Sequence, residues 1–318
     1  MEIYYNEKTF KNVCLSESGY HGVVAHLETL ADGKELLEKY KSIYEHGTYF
    51  LETSDERIMG ILCAYEDYLK WAMINKPNTD ESKEYIFNKL KPFLPLVSNY
   101  DDLEKDIKTY FEDKGYYIQF GVTWPYPTMY LWGKQTITNK MIELPEGNME
   151  IEVCEMDDVI TSGWLNYLSM SKIGDGGWVT SRGSNYFKDK YDTSSNEFKI
   201  SLLKHEAQHF LDLKNHPKMK SADLEYRAKL VELIYHDDIG TFLSFLNRAN
   251  EQSDRDNPHL YSSKKIAEGM SGKIFGKDLE ACQDLWKAQG DKISAAALEL
   301  LKEHSEKLKN WDGESFVI

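Results

Sequence analysis

An α+β protein is expected from the way the hydrophobic period changes along these 318 residues. Apolar residues recur at spacings of three and four through the first hundred or so positions, alternate at two between about 116 and 153, and return to helical spacing from Phe198 onward. A hydrophobic fraction of 41% with 13% aromatics is enough to build cores, and 8 Pro with 20 Gly exclude a collagenous or low-complexity chain.

Residues 1–114 read as an N-terminal helical region. Val24, Leu27, Leu30, Leu37, Tyr40 and Tyr44 form one run between Gly22 and Tyr44, and Ile58, Leu62, Tyr65, Leu69 and Met73 form a second. Ser54, followed by Asp55 and Glu56, gives that second helix a capped start favoured by the helix dipole. The two prolines of KPFLPLVSNY break the pattern, and a last helix runs from about Asp101 to Gly115.

Residues 115–214 are expected to hold a sheet and the helix that carries the chemistry. Tyr116, Ile118, Phe120, Val122 and Trp124 alternate with Tyr117, Gln119, Gly121 and Thr123, and the PYP at 125–127 turns the chain into a second strand through Tyr130 and Trp132. These aromatics read as sheet core. MEIEV at 149–153 alternates too, and GDGGWVTSRGSNYF at 174–187 reads either as an edge ribbon or as a loop rich in turn formers. Residues 215–318 form a C-terminal helical subdomain, with loops near 214–221 and 252–263 and a long terminal helix over ISAAALELLKEHSEKL. There is no repeat at a fixed period and no linker long enough to separate independent domains.

With 38 basic and 53 acidic residues the net charge is −15, which argues against a main role in gripping nucleic acid or an anionic membrane. No stretch approaches the roughly 20 apolar residues that a membrane-spanning helix needs, and the mean hydropathy of −0.57 agrees. Cys14, Cys63, Cys154 and Cys282 are far apart, which fits buried thiols in a reducing compartment. MEIYYNEKTFKN lacks a basic head followed by an apolar run, so no secretory signal is expected and the expected location is cytoplasmic.

The informative residues are His205, Glu206, Ala207, Gln208 and His209, an HExxH pentad inside LLKHEAQHFLDL. On a helix the two imidazoles, four apart, share a face and can converge on one cation. Glu206, turned by about 100° from its neighbours, sits beside that cation without having to bind it, which is where a general base belongs. Leu203, Ala207, Phe210 and Leu211 form an apolar stripe that anchors the helix. A mononuclear catalytic zinc needs a third protein ligand and an open position. Glu225 stands in the first turns of the next amphipathic segment, SADLEYRAKLVELIYHDD, whose Leu224, Ala228, Val231 and Tyr235 make one stripe. Glu232, seven residues further on, lies near the same face, and His216 in the intervening loop is a further alternative.

HEAQH followed by a helix bearing Glu225-Tyr226-Arg227-Ala228 resembles the gluzincin metallopeptidases of the zincin superfamily, over roughly residues 174–240. The resemblance implies a zincin-like α+β fold, with a small twisted sheet packed on the HExxH helix and a cleft between two halves. It assigns His205, His209 and Glu225 to one Zn2+ per chain and Glu206 to catalysis as the base, and it makes GGWVTSRGSNYF, 176–187, a candidate for an edge strand that pairs with an extended substrate. A His or Tyr from the C-terminal part would stabilise the oxyanion; His259 and Tyr261 in DNPHLYSSKK are the first choice, with His236 the competitor. Thermolysin-like relatives often have an acidic residue four places after the ligand Glu to orient a histidine; here that position is Lys229, and Asp212 is the expected substitute. A metzincin site would need Gly at 212 and a ligand at 215, where the chain has Asp212 and Asn215. GNMEI at 147–151 is similar to an aminopeptidase signature but ends in Ile151, and an alternating strand explains it better.

The expected activity is therefore zinc-dependent peptide hydrolysis by a Glu-activated, metal-bound water, with a peptide or protein as partner and neither nucleic acid nor membrane. The alternatives are a zincin-fold protein acting by metal-dependent binding, and a helical interaction protein in which HEAQH is accidental. Cleavage preference and oligomeric state are left open by the sequence.

Overall fold

The computed structural model describes all residues except 1, 17–18, 47–50, 52, 95–96, 124–125, 175 and 250–254, together with all side chains outside these but for those of 15, 45–46 and 122–123. Trp124 and Pro125, assigned above to a strand end and a turn, lie outside the described residues, as does the 252–254 part of the expected loop. The chain divides into two compact units, residues 1–136 with 156–176, and 137–155 with 177–318. The segment 115–214 contributes to both.

The first unit begins with helices α1 (Glu7–Leu15), α2 (Gly19–Glu28), α3 (Lys34–His46), α4 (Glu56–Asn75), α5 (Thr79–Leu90) and α6 (Tyr100–Asp113). The run expected from Gly22 to Tyr44 is two helices. Between them the chain folds back, and Gly33 allows it to pass close to the Leu27 carbonyl, into which a side chain at 33 would press. The cap of α4 is Asp55, one residue later than Ser54: its carboxylate accepts from the Arg57 and Ile58 amides, both at 3.1 Å. A 3₁₀ turn at Lys91–Phe93 follows α5 where the prolines begin, and α6 ends at the expected glycine, Gly115, which has φ +84°.

Strand β1 (Tyr117–Thr123) pairs antiparallel with β2 (Tyr126–Leu144), Phe120 opposite Met129. Strand β3 (Gly147–Thr161) and the short helix α7 (Trp164–Leu168) follow. In the first unit, α4 is tied to β2 by two tyrosines: Tyr65 Oη accepts from the Met129 amide at 2.8 Å and Tyr68 Oη donates to the Pro127 carbonyl at 3.1 Å. Its core gathers Phe10, Tyr40, Ile61, Leu69, Ile107 and Leu131, all fully buried.

The second unit holds the outer parts of β2 and β3, then β4 (Gly177–Val179) and β5 (Gly183–Phe187). The strand order in the sheet is β1-β2-β3-β5-β4, so β4 is an edge strand. The glycine-rich ribbon is a real hairpin, and Gly183 is required in it: a Cβ there would lie 1.7 Å from the Glu152 carbonyl of β3. A widened π-helical stretch, Glu197–Lys204, leads into α8 (His205–Asn215), followed by α9 (Ser221–Tyr235), α10 (Gly240–Ala249), α11 (Pro258–Phe275), α12 (Gln283–Lys287) and α13 (Ile293–Leu308). The expected loop at 252–263 thus ends early, because Asn257 caps α11 by accepting from Leu260 N and Pro258 occupies its first turn. Leu230, Val231, Phe242, Ile266, Trp286 and Leu301 form the centre of a separate core.

The architecture is α+β, with helical regions N-terminal and C-terminal to a β-sheet. None of the described helices is long and apolar enough to cross a membrane. The four cysteines are free, but only Cys14 and Cys154 are buried; Cys63 and Cys282 are exposed, contrary to the expectation of buried thiols.

Candidate metal centre

Leu203, Ala207 and Leu211 are buried and hold α8 on the second core, while Phe210 is only partly covered. Helix α9 is buried along most of its length, so its polar residues are held where the backbone puts them. One helical turn separates His205 from His209, and their Nε2 atoms lie 3.1 Å apart. Glu225 adds Oε1 at 3.4 Å from His209 Nε2 and Oε2 at 3.8 Å from His205 Nε2. The three side chains are only 12%, 16% and 12% exposed.

These spacings fit a metal ion. Four donors placed tetrahedrally at about 2.0–2.1 Å from zinc are about 3.3 Å from one another. Two imidazole nitrogens facing each other at 3.1 Å, with a carboxylate beside them, also need a shared proton or cation to be stable. Two histidines and a glutamate are the borderline-soft and hard donor set that suits a divalent ion such as zinc.

Glu232 fixes the orientation of His205. Its Oε1 is 2.7 Å from His205 Nδ1, so Nδ1–H donates to the carboxylate and the Nε2 lone pair is left facing Glu225 and His209. Burial works against a proton on His205, but the hydrogen bond and charge of Glu232, with Glu225 and Glu206, outweigh it and raise its pKa. Burial likewise opposes charge on Glu225, yet His209, His259 and His205 hold its carboxyl far below the ordinary range. Glu225 is therefore a carboxylate, ready to bind a cation, at any physiological pH. Substituting Glu232→Gln is expected to weaken metal affinity by about 10–100-fold while the chain stays folded. Competition with a chromophoric chelator measures this, and unchanged affinity would remove Glu232 from the site.

Asp212, expected to orient a histidine, does not: its Oδ1 accepts from Arg227 Nε at 2.8 Å and from Gln208 Nε2 at 2.9 Å. Arg227 also donates to Glu146 and to Ser305 Oγ, and to His304 Nδ1 at 3.3 Å. That makes Nε2–H of His304 the donor to Asp223 Oδ1, 3.1 Å away. This network lies behind α8 and α9 and locks them in register. Burial lowers the pKa of His304, with Arg227 adding to the effect and Asp223 opposing it. Below its ordinary value of about 6.5 the unfolded chain takes up a proton that folded His304 resists, so stability falls as pH drops through that region. Urea midpoints at pH 7.5 and 5.5 should therefore differ less in His304→Gln than in the wild type. An equal loss would assign the acid sensitivity elsewhere.

Lys229, the residue standing where relatives often have an acid, is a staple. Its ammonium donates to the His259 carbonyl, to Ser262 Oγ at 2.9 Å and to Ser263 Oγ at 3.0 Å, pinning the first turn of α11 onto α9. Burial brings its pKa down to about 8 against the pull of Glu225, and the charge of Arg248 adds to the fall. The staple sets His259, whose Nδ1 lies 2.9 Å from Glu225 Oε2 although the side chain is 63% exposed. Tyr261 is not brought to the cluster. Two residues along a helix differ in direction by about 200°, and the Tyr261 ring faces the cations of Arg255 and Lys265, each 5.6 Å from its centroid. His236, just after α9, lines the same cavity as His259, with Nε2 3.0 Å from Ser201 Oγ.

Two cavities meet at Glu206 and Glu225. One of about 640 Å³ contains His205, Lys229, Glu232 and His259; the other, of about 650 Å³, contains His209 and residues 179–181 of the ribbon. Glu206 therefore borders the open space next to the three-donor cluster on both sides. The sequence alone offers Glu232 as a rival ligand and Lys229 as a departure; their spacing from Glu225 puts both on its side of α9, but their partners on α8 and α11 are tertiary. Compared with known protein families, with curated proteins and with solved structures, the chain matches none.

Proposed function

We propose that the protein is a zinc-dependent metallopeptidase of gluzincin type, with a zincin-like arrangement of α8, α9 and the sheet edge. The observation that carries this reading is the convergence of His205, His209 and Glu225 with the Glu206 carboxylate bordering both adjoining cavities. A zinc ion held by those three residues supplies a Lewis acid that polarises a carbonyl and lowers the pKa of a water.

The chain's own groups supply the rest. Glu206 takes a proton from the attacking water as its oxygen bonds to the peptide carbon, and returns that proton to the amine nitrogen as the C–N bond breaks. Glu232 keeps His205 in the tautomer that leaves Nε2 as a donor of electrons. As an imidazolium, His259 would direct Nδ1–H at Glu225, 2.9 Å away, and donate Nε2–H to the oxygen that gains negative charge. Tyr261 has no part in this scheme. As the last strand of the sheet, β4 would offer backbone groups to an extended peptide.

Incubating the protein with a diverse peptide pool and sequencing new termini by mass spectrometry tests the reading. New termini that vanish with a chelator and return with zinc are expected. A zinc-loaded protein that creates none would overturn it.

A further inference from the structure

The two cavities that share Glu206 and Glu225 are of similar size and opposite chemistry. The one beside the ribbon collects Met149 of β3, Val179 of β4, Phe210 and Leu213 of α8, and Leu224 of α9. Val179 and Leu213 are 44% and 40% exposed, and they join the other three in one apolar patch. Such a patch, converging on a reactive carboxylate, marks a surface that something apolar covers. Its neighbour is lined by Ser201, Lys229, Asp238, Ser244, Arg248 and other polar groups. Phe245 is the one large apolar side chain among the described residues lining it, and the Lys229 ammonium lies 5.4 Å from its ring centroid.

An apolar substrate side chain gains by entering the first cavity. In the second it would strip water from charged groups and offer them no hydrogen bond in return. A polar side chain has the reverse preference. Consecutive residues of an extended peptide are about 3.3 Å apart along the chain and point to opposite faces, so the two residues that flank the reacting bond can sample different cavities.

We propose that the substrate is a peptide cut at the junction between a large apolar residue, seated in the cavity of Met149, Val179, Phe210, Leu213 and Leu224, and a polar residue, seated in the cavity of Lys229 and Arg248. This rests on the peptidase reading and gives it a substrate class. A difference of one methylene in an apolar pocket changes kcat/KM by about 10–200-fold, so the asymmetry is measurable.

The test uses four peptides with identical Gly/Ser flanks and central pairs Leu-Gln, Gln-Leu, Leu-Leu and Gln-Gln. One of the two mixed orders should be cut at least about tenfold faster than the other three. The double variant Val179→Asp/Leu213→Glu, altered only at exposed positions, should keep its zinc and its circular dichroism but lose that preference. Equal rates for both mixed orders, or a preference unchanged in the double variant, would overturn the inference while leaving the peptidase reading standing. If none of the four is cut, the peptidase reading fails on these substrates, and fluorescence polarisation with the zinc-loaded Glu206→Gln chain decides the inference separately. Tighter binding of one mixed order, lost in the Val179→Asp/Leu213→Glu background, sustains it; equal binding of all four overturns it.

Discussion

On the peptidase reading, replacing Glu206 with Gln is expected to lower peptide hydrolysis by about 10²–10⁴-fold, the range a positioned general base supplies, and to leave the metal content unchanged. The physical reason is in the placement. Glu206 lies between the two histidines in sequence, is turned away from their shared face, and borders both cavities without belonging to the three-donor cluster. Glutamine keeps the size and polarity of the side chain but cannot accept a proton at neutral pH, so packing is preserved while proton transfer is lost. Initial rates on a cleaved peptide, with zinc measured on the same samples, read out both quantities. A variant that retained full activity would show that some other group takes the proton.

The second large effect is on stability and comes from Arg227. Its guanidinium and the Asp212 carboxylate are only 3% and 2% exposed. Breaking a buried pair by removing one partner costs about 3–5 kcal/mol, because the remaining charge has lost its compensation. In Arg227→Met, Asp212 would keep Gln208 alone, while Glu146 would lose the Arg227 guanidinium and keep only the direct hydrogen bond from Ser305 Oγ. The burial that already raises the Asp212 pKa would then be opposed by Gln208 without Arg227, so the pKa rises further. Urea unfolding of Arg227→Met is expected to show a loss of about 3–5 kcal/mol, with part of it recovered in Arg227→Met/Asp212→Asn. A loss below about 1 kcal/mol, the scale of an exposed ion pair, would mean that this network does not hold α8 and α9 together.

Much of the second unit was legible in the sequence because its signals are local. The terminal helix α13 has the expected bounds, Ile293–Leu308, since its apolar residues keep strict helical spacing. HEAQH announces itself by spacing alone, and the Glu225 side chain lies where one further helix could bring it. What spacing could not convey was partnership. Asp212 is three residues after His209, but Arg227 competes for it from another helix and wins by donating a charged hydrogen bond at 2.8 Å. Lys229 looked like a lost carboxylate until α11 placed a carbonyl and two serine hydroxyls around it. In the sheet, β2 runs far past Trp132 to Leu144, yet its second half is largely exposed, so no apolar alternation marks it. The break between α2 and α3 was hidden for the opposite reason: the apolar spacing continues across it, through a turn in which Gly33 lies close against the Leu27 carbonyl.

His205, His209 and Glu225 are placed to form one metal site. Elemental mass spectrometry on untagged protein, purified without added zinc and again after zinc is supplied at neutral pH, tests it most directly. About one zinc per chain is expected in the wild type, the same in Glu206→Gln, and none in Glu225→Ala. A wild-type chain that takes up no metal under either condition, or a Glu225→Ala chain that binds zinc as well as the wild type, would contradict it.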